Sequence, residues 1–147
     1  MNFKERFKEL LLEYEIFPKK LGELLGIDHE SINSYKHGTI PNVKNATKLA
    51  NYFDCTLNYL LGLSDYPNEY DFKEKCNFDL FFERYNLMLT KNNFTQYYVS
   101  KSLELGHSCY YLWKNGKLPK METLIKLSKF LNCSIDFLIG RSDIEHG

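Results

Sequence analysis

The 147-residue sequence has no excess of charge, with 19 basic and 19 acidic side chains. No stretch approaches the roughly 18 apolar residues of a membrane-crossing helix, so a transmembrane span is excluded. The N-terminal MNFKERFKELLLEYE is charged throughout and lacks the apolar centre of a secretory signal, and a soluble cytoplasmic protein is expected. The four cysteines, Cys55, Cys76, Cys109 and Cys133, include no Cys-x-x-Cys pair and no Cys and His at zinc-finger spacing. No metal site is expected; Cys55 and Cys133 read as small buried residues in preference to metal or disulfide roles. Also missing are a nucleophile–base spacing, a phosphate-cradling glycine loop and a carboxylate pair beyond what helical patterning explains. No enzyme, no catalytic residue and no cofactor is expected.

Proline is scarce too, at four residues, yet two of them close the same heptapeptide: YKHGTIP (Tyr35 to Pro41) and WKNGKLP (Trp113 to Pro119). The offset of 78 residues extends well beyond it. It pairs Phe3 with Phe81, Arg6 with Arg84, Leu11 with Leu89, His29 with His107, Cys55 with Cys133, and LLGLSD (Leu60 to Asp65) with LIGRSD (Leu138 to Asp143). A period this long repeats a whole small domain rather than a solenoid unit. The chain is read as copy one, residues 1–65, a linker, 66–78, and copy two, 79–143. About 65 residues suffice to fold around one core.

Apolar residues recur at helical spacing. Phe3, Phe7, Leu10 and Leu11 form one stripe, repeated by Phe81, Tyr85, Met88 and Leu89. Second helices are expected over Pro18 to Leu25 and Gln96 to Leu103, with Pro18 in a first turn and Thr95 as N-cap. Gly26 reads as the left-handed stop. Third helices are expected over His29 to Lys36, capped by Asp28, and His107 to Lys114, ended by Gly38 and Gly116. Fourth helices follow at Val43 to Phe53 and Met121 to Leu131, then short ones capped by Thr56 and Ser134. Strand-period alternation is sustained nowhere. The fold class is all-α, with five helices per copy.

LGELLGIDHESINSYKHG (Leu21 to Gly38), the Gly-x-x-Pro after it and CTLNYLLGLSD (Cys55 to Asp65) form an ordered set, as do FTQYYVSKSL (Phe94 to Leu103) and CSIDFLIGRSD (Cys133 to Asp143). Both sets resemble the helix-turn-helix domain of the phage repressor and Cro family, also called the XRE family, over nearly all of each copy. The resemblance implies two tandem repressor-like domains that bind double-stranded DNA and regulate transcription. It also implies that Tyr35 and Trp113 close the third, recognition, helix onto the core. Because the chain stops at Gly147, the family's extra dimerising domain is expected to be absent. Part of the apolar last helix is expected to join the copies or two chains, and most of it to be core.

By the same resemblance, base-facing positions lie at the start and outer face of helix three. These are His29, Glu30, Asn33 and Ser34 in copy one, and His107, Ser108, Tyr111 and Leu112 in copy two. Asn33 can pair with an adenine edge and Glu30 can accept from cytosine, while Leu112 can touch a thymine methyl or a protein. The family's glutamine at the start of helix two is kept as Gln96 and replaced by Pro18 in copy one. An Arg–Glu pair usual in the family becomes Leu11 with Lys36 and Leu89 with Lys114, leaving Lys36 and Lys114 beside the presumed DNA face. Lys117, in the following loop, is expected to meet phosphate. The turn glycine, Gly26 in copy one, becomes Glu104 in copy two, and a shifted turn with Gly106 in the left-handed conformation is expected.

Charge divides unequally. Over 96–120, Lys101, Lys114, Lys117 and Lys120 face only Glu104, net +3; over 18–42, Lys19, Lys20 and Lys36 are balanced by Glu23, Asp28 and Glu30. Copy two is expected to supply more of the backbone affinity. The linker carries Tyr66, Tyr70 and Phe72, so it is expected to pack on a domain rather than behave as a Gly/Ser tether. About 12 extended residues span on the order of 40 Å, against about 34 Å between half-sites one DNA turn apart. One chain could thus imitate a repressor dimer. A homodimer or a protein partner stays open. The alternative reading is a helix-turn-helix scaffold reused for protein contact, favoured by the zero net charge, Pro18, Glu30, Tyr97, Tyr98, Tyr111 and Leu112.

Overall fold

Phe3, Phe7, Leu10 and Leu11 are all buried on one face of α1 (Phe3–Glu13). Fully burying a side chain of this kind is worth about 1.5–3 kcal/mol, so the stripe fixes which side of the helix turns inward. The computed structural model describes residues 1–145. It divides into two compact units, Met1–Tyr70 and Asp71–Gly147. The described residues contain ten α-helices, one 3-10 turn and no strand.

The first unit continues with α2 (Pro18–Leu25), α3 (His29–Lys36), α4 (Val43–Tyr52) and α5 (Leu57–Leu60). Pro18 occupies the first turn of α2, and Gly26 ends it at φ 69°. The turn after α2 folds back so closely on Gly22 that a Cβ there would lie 2.8 Å from the Ile27 carbonyl oxygen and 3.2 Å from the Ile32 side chain on α3. Asp28 caps α3, accepting from the Ser31 amide at 3.2 Å and the Ser31 hydroxyl at 2.7 Å. Tyr35 anchors α3 from within, its ring edge-on to Phe3 and Phe7. Thr56 caps α5 through the Tyr59 amide.

The second unit opens with a 3-10 turn, Phe78–Leu80, that the helical pattern did not announce. Five helices follow: α6 (Phe81–Asn92), α7 (Gln96–Ser102), α8 (Cys109–Lys114), α9 (Met121–Leu131) and α10 (Ile135–Leu138). Thr95 caps α7 and Ser134 caps α10, as their positions suggested. Trp113 is buried edge-on to Phe81 and Tyr85. Asp136 and Arg141, both fully buried, pair at 2.7 Å where copy one has Asn58 and Leu63. The Arg141 guanidinium lies 4.3 Å from the centroid of the Phe72 ring. Ser142 Oγ donates to the Asp71 carbonyl at 2.7 Å, and the Asn77 amide to the Ile139 carbonyl at 2.9 Å. Tyr70, the last residue of the first unit, is also buried. The apolar residues of the last short helices, Leu57, Leu60, Leu61, Ile135, Phe137, Leu138 and Ile139, are all buried.

The second unit departs from expectation at two points. The turn between α7 and α8 does not shift: Glu104 itself adopts the left-handed conformation at φ 55°, and Gly106 is not among the positive-φ glycines. Helix α8 also begins at Cys109, two residues later than the repeat implies. The cause is the missing cap. Gly106 stands where copy one has Asp28, so no carboxylate is present to satisfy the first amides. Ser108, the cap position of the shortened helix, makes no side-chain cap bond.

Candidate nucleic-acid interface

In copy one, α3 carries His29, Glu30 and Asn33 on an exposed face. Their side chains have no protein partner among the described residues. Ser34 is half-buried and donates its hydroxyl to the Glu30 carbonyl at 3.0 Å, which leaves its oxygen as an acceptor only. Lys36 is half-buried at the end of the same helix. Asp28 is held below the usual carboxylate range by the hydrogen bonds from Ser31.

The neighbourhood of Pro18 differs from a phosphate-binding surface. Phe17, the cap residue of α2, is 82% exposed, and Leu12 is 79% exposed. Leu11, Leu12, Ile16, Phe17 and Pro18 line an open groove of about 700 Å³ together with Lys8, Glu15 and Lys36. At the equivalent positions copy two has Thr90 for Leu12, Thr95 for Phe17 and Gln96 for Pro18. The Leu11 and Lys36 positions therefore border one groove, in place of the family's charged pair.

In copy two, Tyr111 (67% exposed), Leu112 and Lys114 lie on α8 with exposed side chains. His107 and Ser108 are exposed in the turn before α8 rather than on it, a correction that follows from the lost Asp28-type cap. Lys114 and Lys117 line one cleft of about 290 Å³ beside Trp113 and Gly116, with Asp79 and Glu83 also on its walls. Lys101, Lys117 and Lys120 stand where copy one has Glu23, Thr39 and Asn42.

Gln96 begins α7, half-buried, and its Oε1 accepts a hydrogen bond from the Tyr85 hydroxyl. Tyr85 is fully buried. This bond was missed in the sequence. The signal available was a paired difference at one offset, since Phe7 and Pro18 occupy the Tyr85 and Gln96 positions in copy one. Among the described residues no three His, Cys, Asp or Glu side chains come together as a metal site, and no helix is long and apolar enough to cross a membrane. Burial pushes the Cys133 thiol up to about 12. Cys55 is buried as well.

No curated protein and no solved structure matches the chain. The family model described as helix-turn-helix matches it twice, over residues 8–60 and 86–138, together well over half its length. Each match contains a short helix, a tight turn and a second short helix anchored from below by Tyr35 or Trp113. The chain belongs to the XRE-type helix-turn-helix family of DNA-binding regulators and carries two such domains in tandem.

Proposed function

We propose that the protein is a sequence-specific double-stranded DNA-binding transcriptional regulator whose two helix-turn-helix domains, 1–65 and 79–143, act unequally across the 66–78 connector. It works in the cytoplasm. Copy two supplies most of the phosphate contact. The observation that carries this is the substitution pattern on one common scaffold: Gln96, Lys101, Lys117 and Lys120 in copy two against Pro18, Glu23, Thr39 and Asn42 in copy one. Lysines increase affinity by releasing counterions from the duplex, and neutral donors position the protein without that release.

Base readout falls to His29, Glu30 and Asn33 in copy one, with Ser34 as an acceptor and Lys36 at the edge. In copy two it falls to Tyr111 and Leu112 on α8 and to His107 and Ser108 ahead of it, with Lys114 beside the backbone. The test is selection of bound sequences from random duplex DNA, followed by titration across salt. A recovered consensus with unequal halves is expected. Lys117→Ala should weaken binding and lower the salt slope by about 0.9. Gln96→Ala should weaken binding at unchanged slope, because a neutral amide displaces no counterion. Recovery of no enriched sequence would sink the reading.

A second reading is favoured by the groove of copy one. Exposed Leu12 and Phe17 beside Lys8 and Lys36 suit a protein surface better than a phosphate strand. In this reading copy one docks a protein, or a second copy of the chain, while copy two holds the DNA. Loss of self-association on replacing Leu12 and Phe17 by threonine, the residue copy two has at both positions, would favour it.

A further inference from the structure

The Tyr85 hydroxyl meets the side chain of Gln96, the first residue of α7, at the end of the helix that a phosphate strand would approach. Its ring stacks on Phe81 with centroids 5.9 Å apart and meets Trp113 edge-on at 5.2 Å. The side chain is fully buried, so it cannot turn its proton to water. A buried hydroxyl without an acceptor is costly. Gln96 Oε1 is the acceptor present. Burial also holds Tyr85 well above the usual phenol range, so the group remains a proton donor across the working pH span.

A glutamine amide has two faces of opposite character: an oxygen that accepts and an NH2 that donates. A free glutamine can present either. A phosphate oxygen accepts hydrogen bonds and is repelled by another acceptor. We propose that Tyr85 is a positioning residue for DNA binding: by engaging the Gln96 oxygen from below, it fixes the amide so that Nε2 faces outward as a donor to phosphate. The inference rests on the DNA-binding reading of copy two and adds to it the residue that sets the polarity of its helix-two contact.

Copy one supplies an internal comparison. Phe7 and Pro18 replace Tyr85 and Gln96 together. Phe7 is buried just as Tyr85 is, with its ring edge-on to Tyr35 in place of Trp113. The packing of the ring is therefore kept without a hydroxyl, and core filling alone does not require one. The hydroxyl is present in the copy that has an amide to orient and absent from the copy that has none.

Two measurements on the full chain test this. The first uses no DNA. In isotopically labelled protein, scalar couplings and side-chain amide NOEs should place Gln96 in one rotamer, and Tyr85→Phe should average it. An averaged Gln96 in the unaltered protein overturns the inference. The second measures affinity for a random-sequence duplex of about two helical turns. Gln96→Ala should cost about tenfold, as expected for a hydrogen bond to a charged acceptor. Tyr85→Phe should cost about three- to fivefold at an unchanged salt slope, and the double variant should bind no more weakly than Gln96→Ala alone. Gln96→Glu retains an acceptor for Tyr85 and keeps the melting temperature, yet should bind more weakly than Gln96→Ala. Full affinity in Tyr85→Phe, or additive losses in the double variant, overturns the positioning role. If the unaltered protein binds no duplex, the DNA reading falls and the phosphate half of the inference falls with it, whereas the rotamer measurement still decides whether Tyr85 orients Gln96.

Discussion

The Arg84 guanidinium lies 4.4 Å from the centroid of the Phe137 ring, and Nη1 donates to the Phe137 carbonyl at 2.7 Å. The same group reaches the Ser142 carbonyl at 2.6 Å and Asp143 at 2.8 Å. Arg6 repeats the arrangement in copy one, 3.6 Å over the Tyr59 ring and bonded to the carbonyls of Tyr59 and Ser64. One arginine thus ties the first helix of each domain to the end of its last. A planar guanidinium can lie over the ring while its Nη groups reach the carbonyls, an arrangement that a lysine's compact ammonium does not reproduce.

Arg6→Ala and Arg84→Ala should therefore each destabilise by about 2–4 kcal/mol, since carbonyls at the end of the last helix lose charged donors. The exposed Asp143 contact adds little to that figure. Arg84→Lys should recover less than half of the loss. Thermal denaturation of the full chain checks both. Losses under 1 kcal/mol would show that α5, for Arg6, or α10, for Arg84, is held by apolar packing alone.

Glu104 tests the turn of copy two. It holds a left-handed backbone at φ 55°, where its counterpart Gly26 holds φ 69°. A residue with a Cβ is strained there by roughly 1–2 kcal/mol. Glu104→Gly should stabilise the protein by about 1 kcal/mol after the added entropy of the unfolded glycine is offset. Gly26→Ala should destabilise by a similar amount for conformational reasons alone, because the nearest atom to an added Cβ is 4.0 Å away. A lower melting temperature for Glu104→Gly would overturn the assignment.

The contrast between caps and clamps explains what could be read in advance. Asp28, Thr95, Thr56 and Ser134 each bond an amide three residues on, so both partners lie inside one short stretch of sequence. Arg84 and Phe137 are 53 residues apart, and nothing local marks them as partners. Matching Arg6 to Arg84 across the repeat showed a recurring arginine without its contact. The late start of α8 was legible in principle as Gly106 opposite Asp28, but the strength of the repeat pointed to His107. At the candidate interface, residue types and their offsets were readable. The orientation of Gln96 and the exposure of Leu12 and Phe17 depend on packing between helices and were not.

Acid should separate the two recognition helices. Hydrogen bonds from Ser31 depress the Asp28 carboxyl, so its cap contribution is complete above the ordinary carboxylate range and is lost as pH falls through the depressed value. Copy two has Gly106 at that position and no equivalent group. Protection factors against amide exchange at residues 29–32, taken relative to the intrinsic rate at each pH, should fall as the pH drops below the usual carboxylate range, while those at the start of α8 should show no matching step. Asp28→Asn keeps the capping oxygen and should remove the pH step. A parallel loss of protection in both helices would point to global acid unfolding instead.

The two reading surfaces should contribute unequally to DNA binding, and the reason lies in what each exposes. Copy two presents Lys114 and Lys117 along one cleft, with Gln96 at the start of α7. Copy one presents Pro18 and an exposed Phe17 at the matching place, with an exposed Glu30 on α3 whose charge a polyanion would repel. Phosphate contacts supply sequence-independent affinity, and base contacts add discrimination. Replacing His107 and Lys114 by alanine should therefore reduce binding to every duplex by at least tenfold. Replacing His29 and Asn33 should leave binding to random duplex nearly unchanged and lower the preference for a selected site, by about 1–3 kcal/mol if Asn33 makes a bidentate base contact. Fluorescence anisotropy on selected and scrambled duplexes at two salt concentrations separates these outcomes. Equal losses from both pairs would remove the asymmetry, since each copy would then be anchoring and reading alike. A selected-site preference untouched by His29 and Asn33 would leave copy one without a role on DNA, and would direct attention to the groove beside Phe17 as its working surface.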